Sequence, residues 1–138
     1  MSNAENRRFP RLDHVSSRQI IRLDQTQTPH RNIVLTQNLS ACGIRFTTHD
    51  NLEKNTYFLI YLNEQNLESI HNSNQNFLRS GDYLLAKVVW NKTNPDKTFK
   101  IGAAFLEKEK AKSNEIETFT ELVNISMLDL LPDIEKGF

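Results

Sequence analysis

The sequence predicts a mainly β protein, a small antiparallel β-barrel of about six strands followed by one C-terminal α-helix. Short segments rich in β-branched and aromatic residues recur through the first 106 residues, and polar turns separate them. Helical spacing of apolar residues begins only after residue 113. Closing the strands into a barrel would remove the free edges at which short sheets aggregate.

The strand segments combine apolar alternation with flanking turn residues. In chain order they are 17–23, 32–40, 43–49, 56–62, 82–90 and 98–106. The polar run QTQTPHR (25–31) is predicted as the first turn, and Asn94-Pro95-Asp96 as the turn of a hairpin between the last two strands. Residues 63–80 are rich in Asn and Ser, and they are predicted as a long polar loop to which the sequence assigns no role.

The last part of the chain has the spacing of an amphipathic helix over residues 114–131. The apolar positions recur every three residues, at Leu122, Ile125, Leu128 and Leu131. Ser113 is predicted to cap the start, with Glu115 and Glu117 in the first turn, and Pro132 ends the pattern. The apolar stripe could pack on the barrel or on a second copy of the chain.

Composition limits the classes of function. The chain of 138 residues fits one domain over 5–131, with an arm at 5–13, the barrel at 17–106 and the helix at 114–131. Lysine and arginine together number 17, as do aspartate and glutamate, and the zero net charge argues against general DNA or RNA binding. No apolar run reaches the ~18 residues of a membrane span. One cysteine, Cys42, fits a reducing cytoplasm, and the scattered histidines predict no metal site.

The segment ahead of the first strand, NRRFPRLD, carries Arg7, Arg8 and Arg11. Pro10 disfavours the α conformation at Phe9, so Arg7 and Arg11 are expected on one side of an extended segment. A guanidinium offers a planar fork of donors that suits phosphate oxygens and the O6/N7 edge of guanine, and it can stack on a purine. A solvated basic tail is the alternative.

A second group of candidate residues lies in NLSACG. Asn38 and Ser40 are two residues apart, so they project from the same face at the end of a strand. Both side chains can donate and accept hydrogen bonds. Gly43 permits a positive φ or a close approach of a ligand to the backbone. The alternative is a local turn in which Asn38 and Ser40 bond to backbone groups.

A third group lies in the predicted hairpin. Gly102 stands inside a strand, where glycine is unfavourable unless something needs the space. Trp90 ends the preceding strand. Both residues are candidates for a ligand-binding face, and a partly buried core position is the alternative for Trp90.

Taken in order, these features resemble the PilZ domain family. The resemblance rests on Arg7-x-x-x-Arg11, Asn38-x-Ser40-x-x-Gly43, the 27-residue step between them, a V-V-W strand and a G-x-x-F strand, and it covers residues 5–122. It implies a six-stranded barrel with a C-terminal helix and cyclic di-GMP as ligand, with no cofactor. It also implies that the arginine motif grips phosphates and guanine edges while the second motif holds a guanine. Asn38 replaces the commoner Asp, which weakens acceptance from guanine.

These expectations lead to a bacterial cyclic di-GMP receptor that is not an enzyme and that signals to an unidentified protein partner by a conformational change. No Gly-rich phosphate loop is present, and Cys42 has no evident base partner. One alternative is a PilZ-type adaptor of pilus or motility machinery that binds no nucleotide. Another is an unrelated barrel that binds single-stranded nucleic acid. No DNA, RNA or membrane partner is expected, and a homodimer is left open.

Overall fold

A computed structural model describes residues 16–40, 42–62 and 76–128. The predicted arginine arm, with Arg7, Arg8 and Arg11, lies outside the described residues, as does most of the polar segment 63–80. The elements are β1 (Ser16–Leu23), β2 (Pro29–Leu39), β3 (Gly43–Thr48), β4 (Tyr57–Tyr61), β5 (Arg79–Ser80), β6 (Tyr83–Thr93), β7 (Phe99–Phe105), a 3₁₀ turn (Lys108–Lys110) and α1 (Ser113–Leu128).

Six strands form a closed antiparallel barrel in the order β1-β2-β3-β7-β6-β4. The ring closes because β4 pairs with β1 on one side and with β6 on the other. The short strand β5 pairs with β6 and lies outside this ring. The barrel and the helix after it confirm the predicted fold class.

Alternation along the strands fills the barrel interior. Phe46 and Phe58 meet there edge to face, with ring centroids 5.5 Å apart. Around them pack the inward residues of all six strands, with Leu52 and Leu62 from the connections: Ile20, Val34, Leu39, Ile44, Ile60, Leu84, Ala86, Val88, Ile101, Ala103 and Phe105. Burial of this set is the main stabilising contribution to the fold.

A second apolar cluster covers the outside of β1, β4 and β6. Ile21, Leu59 and Leu85 point outward from these three strands and are buried beneath α1. The helix contributes Leu122, which is 1% exposed, and Phe119 packs beside it. The apolar stripe of α1 therefore lies on the barrel of its own chain.

The first turn lies earlier in the chain than the predicted residues 25–31. The strand β2 begins at Pro29, and the turn runs over Asp24–Thr28. The Asp24 carboxylate accepts hydrogen bonds from the N–H groups of Thr26 and Thr28, at 2.8 and 2.9 Å, which closes the turn early. Proline is tolerated as the first residue of a strand. The hydrogen bond with His30, followed by that from the Thr26 hydroxyl, holds the pKa of Asp24 far below its usual range.

The predicted loop 63–80 is wrong for residues 76–80. Phe77 bridges to Glu107, and its ring lies 5.4 Å from that of Phe105. Leu78 is buried under the helix, and β5 follows it. The apolar side chains of Phe77 and Leu78 thus order the end of this polar segment by packing on the barrel. The average composition of the segment does not show this effect.

The helix begins differently from the prediction that Ser113 caps it. The carbonyl of Lys112 accepts from the N–H of Ile116, so Lys112 holds the N-cap position. The Glu115 carboxylate reaches back to the N–H of Lys112 at 2.9 Å, half of a capping box. Ser113 is the first helical residue. Residues 129–131 of the predicted helix lie outside the described residues.

Glu115 also fastens the helix to the barrel. Its Oε2 accepts a 2.6 Å hydrogen bond from the Tyr57 hydroxyl on β4, and the residue is 5% exposed. The bonds from the N–H of Lys112 and from Tyr57 lower the pKa of Glu115, against the opposing effect of burial. Burial and the bond to Glu115 raise the pKa of Tyr57 to about 12. The Lys87 ammonium lies 5.6 Å from the Tyr57 ring centroid. Its positive charge also lowers the pKa of Glu115.

We expect Glu115→Gln to reduce the free energy of unfolding by about 1–2 kcal/mol at pH 7, because a buried charge-assisted hydrogen bond is weakened. The folded pKa of Glu115 is depressed, so its contribution is complete above the unfolded pKa of about 4.3. It is lost as pH falls through the folded pKa, and the difference between variant and wild type should close there. Urea unfolding at pH 7 and below pH 4 measures both. Glu117→Gln, an exposed change on the same helix, is the control, and equal effects of both variants would contradict the assignment.

Candidate functional site

Four residues on adjacent strands form a single row on the outer face of the barrel. Asn38 of β2 is paired with Arg45 of β3, Arg45 with Gly102 of β7, and Gly102 with Trp90 of β6. Neighbouring strands lie about 4.8 Å apart, so the row extends roughly 14 Å across the barrel wall. Three of its members were predicted as site residues from separate parts of the sequence, and the register brings them together.

A shallow pocket of about 270 Å³ lies over this row. It is lined by Asn38, Ser40, Cys42, Gly43, Ile44, Arg45, Val89, Trp90, Gly102, Ala103 and Ala104. Small and apolar residues make up most of this lining, with polar side chains at the β2–β3 side. The shape and composition suit a flat ring system with a polar edge.

The indole of Trp90 lies against the backbone of Gly102. A methyl group at Gly102 would overlap the Nε1, Cε2 and Cζ2 atoms of the indole. Gly102 therefore leaves the space that the Trp90 indole occupies, which is a packing reason for a glycine inside a strand. Trp90 is 39% exposed and belongs to neither apolar cluster, so the alternative of a partly buried core position is wrong.

A β-bulge directs Trp90 outward. The pairing of β6 with β7 shifts between Val88 and Trp90, which leaves Val89 as the extra residue. Val88 is buried in the barrel, whereas Val89 and Trp90 are both exposed. A similar shift in β2 lies between Thr36 and Asn38. Each bulge thus falls next to a residue of the row.

Gly43 is required by the packing of two backbones. A side chain there would overlap the carbonyl oxygen of Ala103 on β7. Its φ is not in the left-handed region; the described glycine with a positive φ is Gly81, at 59°. Of the two alternatives for Gly43, the structure has the close approach rather than the positive φ, and a neighbouring strand makes that approach.

Ser40 holds the loop beside the pocket. Its hydroxyl accepts a hydrogen bond from the N–H of Cys42 at 3.3 Å, and its own N–H donates to the carbonyl of Gly43 at 3.0 Å. These are the local bonds that the turn alternative predicted for Ser40. The hydroxyl also donates to the Gly43 carbonyl at 3.4 Å, which leaves one lone pair that can accept from a ligand at the pocket rim.

Asn38 and Arg45 differ from Ser40. Within residues 16–40, 42–62 and 76–128, neither the Asn38 amide nor the Arg45 guanidinium has a hydrogen bond or an ion pair. The turn alternative therefore does not account for Asn38. The pocket offers one amide and one guanidinium beside an aromatic surface, which is an arrangement that can bind an anionic purine.

Arg45 and Cys42 line the pocket but were not among the predicted site residues. Arg45 lies between two buried residues, Ile44 and Phe46, so alternation alone places it outside. Its neighbours across the sheet depend on pairing between strands distant in sequence. Cys42, the sole cysteine, is exposed and borders the pocket. Arg7, Arg8 and Arg11 lie outside the described residues.

A second, larger groove of about 520 Å³ lies near the hairpin turn. It is lined by Leu35, Gln37, Thr47, Asn94, Pro95, Asp96, Thr98 and Lys100. None of its described lining residues is aromatic, and Asp96 is engaged by the N–H and hydroxyl of Thr98. This groove contains none of the residues that the sequence singled out for binding.

Across the described ranges, no group of three His, Cys, Asp or Glu side chains is placed to hold a metal ion. In the same ranges, no helix has the length and apolar character needed to cross a bilayer.

The chain is similar to several solved structures. The complex of K. pneumonia MrkH with c-di-GMP gives a TM-score of 0.47 at 12% identity, covering 96% of this chain and 55% of that one. The Bacillus subtilis inhibitor of motility (MotI/DgrA) gives 0.45 at 16%, covering 88% and 51%. The PilZ domain of Escherichia coli YcgR, solved with c-di-GMP, gives 0.42 at 14%, covering 95% and 96%.

The chain spans about half the length of MotI and MrkH. No family model matches the sequence, and no curated protein sequence matches it. All three TM-scores lie below 0.5, so the function of the chain rests on its own residues.

We expect Gly102→Ala to displace the indole of Trp90 from the barrel wall, because the added methyl group occupies its space. Trp90 is the sole tryptophan, so its emission should shift to the red and acrylamide should quench it more strongly. The control is Gly81→Ala, where the added methyl meets no atom within 4 Å but a φ of 59° is strained. That variant should lose about 1 kcal/mol of stability with unchanged emission. Unchanged quenching in Gly102→Ala would contradict the packing.

Proposed function

We propose that this chain is a cytoplasmic, non-enzymatic receptor for cyclic di-GMP. The observation that carries the proposal is the outward row, which places Asn38, Gly102 and Trp90 beside Ser40 and Gly43 in one pocket. The sequence motifs resemble the PilZ family at those same positions. The proposal assigns the nucleotide to this pocket.

The chemistry of the pocket fits one guanine of the ligand. The exposed indole of Trp90 provides a flat surface on which a base can stack, an interaction worth about 1–3 kcal/mol. The Asn38 carbonyl can accept from guanine N1–H and N2–H₂, and the remaining lone pair of the Ser40 hydroxyl can accept beside it. As an amide, Asn38 makes a weaker acceptor than a carboxylate would.

The arginine arm can reach the pocket. Strand β1 begins at Ser16, which is paired with Thr36, and Asn38 lies two residues further along β2. Arg11 is five residues ahead of Ser16, so it lies within about 17 Å of that point, and Arg7 within about 31 Å. In this proposal Arg7, Arg8 and Arg11 bind the phosphates and the second guanine, supplying the positive charge that two phosphates require.

Closing the arm over the nucleotide would be the signal. Fixing each backbone residue of the arm around the nucleotide costs about 1–2 kcal/mol of conformational entropy, which the phosphate contacts would have to offset. The ordered arm then presents a new surface to a protein partner.

The adaptor alternative has less support. An uncovered apolar face on the C-terminal helix would support an adaptor, but Leu122 and Phe119 of that helix are packed against the barrel. Binding of single-stranded nucleic acid is also disfavoured, because the net charge is zero.

We expect calorimetric titration to show binding of cyclic di-GMP, and Arg7→Ala or Arg11→Ala to lose most of the affinity, because charge-assisted phosphate bonds are removed. Alkylation of Cys42 provides a site-specific readout, since this exposed thiol borders the pocket and bound nucleotide should protect it. Lys54→Ala, an exposed charge change in the turn before β4, is the control.

The absence of heat and of a thermal shift at about 100 µM nucleotide would refute the receptor. Wild-type affinity in both arginine variants would instead show that the arm does not hold the ligand.

We expect Asn38→Ala to weaken cyclic di-GMP binding by about tenfold, because hydrogen bonds to the guanine edge are lost without a change in charge. Gln37→Ala is the matched control: it removes an amide one residue away that lines the other groove. The ratio of the two dissociation constants is the measurement. Equal affinities would place the guanine elsewhere.

A further inference from the structure

We propose that Arg45 reads the O6/N7 edge of the guanine stacked on Trp90 and thereby selects guanine over adenine. This inference rests on the proposed function, since it concerns the same pocket. It assigns base specificity to a residue fixed in the barrel wall.

The position of Arg45 within the row supports this role. It is paired with Gly102, the residue on which the indole of Trp90 lies. Gly102 has no side chain, so nothing in the row stands between the guanidinium and the indole. A base stacked on the indole and directed toward β2 meets Arg45 before it meets Asn38.

The surroundings of Arg45 leave its donors available. Among the described residues that line the pocket, Arg45 is the one with a formal charge, and none is an aspartate or a glutamate. In the described part of the chain its guanidinium has no ion pair or hydrogen bond. By contrast, Arg22 pairs with Asp50 at 3.6 Å, and Arg18 donates to the Thr36 hydroxyl at 3.2 Å.

The chemistry of the two purines makes the role specific. Guanine presents two acceptors, O6 and N7, to which an arginine fork can donate twice. Adenine has the N6 amino donor in place of O6, so one arginine donor would face another donor. Glutamine has the opposite preference, because its amide can accept from N6 and donate to N7.

The test compares Arg45→Gln and Arg45→Ala with the wild-type chain, using cyclic di-GMP and cyclic di-AMP as probes. Binding is followed by calorimetry and by the emission of Trp90, the sole tryptophan, which reports on this pocket. Lys100→Ala is the matched control, since it removes a positive charge from β7 two residues from Gly102 and lines the other groove.

We expect Arg45→Ala to weaken cyclic di-GMP about tenfold or more while changing cyclic di-AMP less. Arg45→Gln should shift the ratio of the two affinities toward cyclic di-AMP by about tenfold or more, and Lys100→Ala should leave the ratio unchanged. An equal loss for both nucleotides would make Arg45 a general cation and overturn the inference. Wild-type affinities in both Arg45 variants would overturn it while leaving the receptor intact. Failure of the wild-type chain to bind cyclic di-GMP would refute the receptor, and the inference with it.

Discussion

The double pairing of β4, with β1 on one side and β6 on the other, closes the barrel. A closed ring of six strands cannot slip by one residue at a single seam, because every other seam would have to shift with it. The inward set of apolar residues and the outward row are therefore fixed together. The pocket exists because core packing, through the closed ring, determines which side chains of β2, β3, β6 and β7 stand side by side.

Two bulges adjust this frame where the pocket lies. In a strand without this bulge, strict alternation would place Val88 and Trp90 on the same face of β6. With it, Val88 stays in the core and Trp90 turns outward to lie on Gly102. The sheet thus gives up one regular pair of hydrogen-bonding residues and gains an exposed aromatic surface.

Much of this architecture could be predicted from local patterns. The hairpin turn at Asn94–Thr98 is visible in the sequence, and counting back from it pairs Trp90 with Gly102. The pairing of Arg45 with Gly102 joins residues 57 positions apart, and no local pattern indicates it. The N-cap at Lys112 was missed because the capping group is the Glu115 carboxylate rather than a side chain at the cap itself. The order at Phe77 and Leu78 was missed because their partners lie in β7 and beneath α1.

Strand β1 follows the N-terminal segment and begins at Ser16. It also supports the helix, since Ile21 of this strand is buried beneath α1. The two ends of this strand are held in one hydrogen-bonded ladder to β2. Moving the helix relative to the rim of the pocket would therefore break the Tyr57–Glu115 hydrogen bond and expose the apolar residues buried beneath α1. A protein that senses an occupied pocket would accordingly have to touch the rim and whatever closes over it, while the helix stays stationary as part of the scaffold.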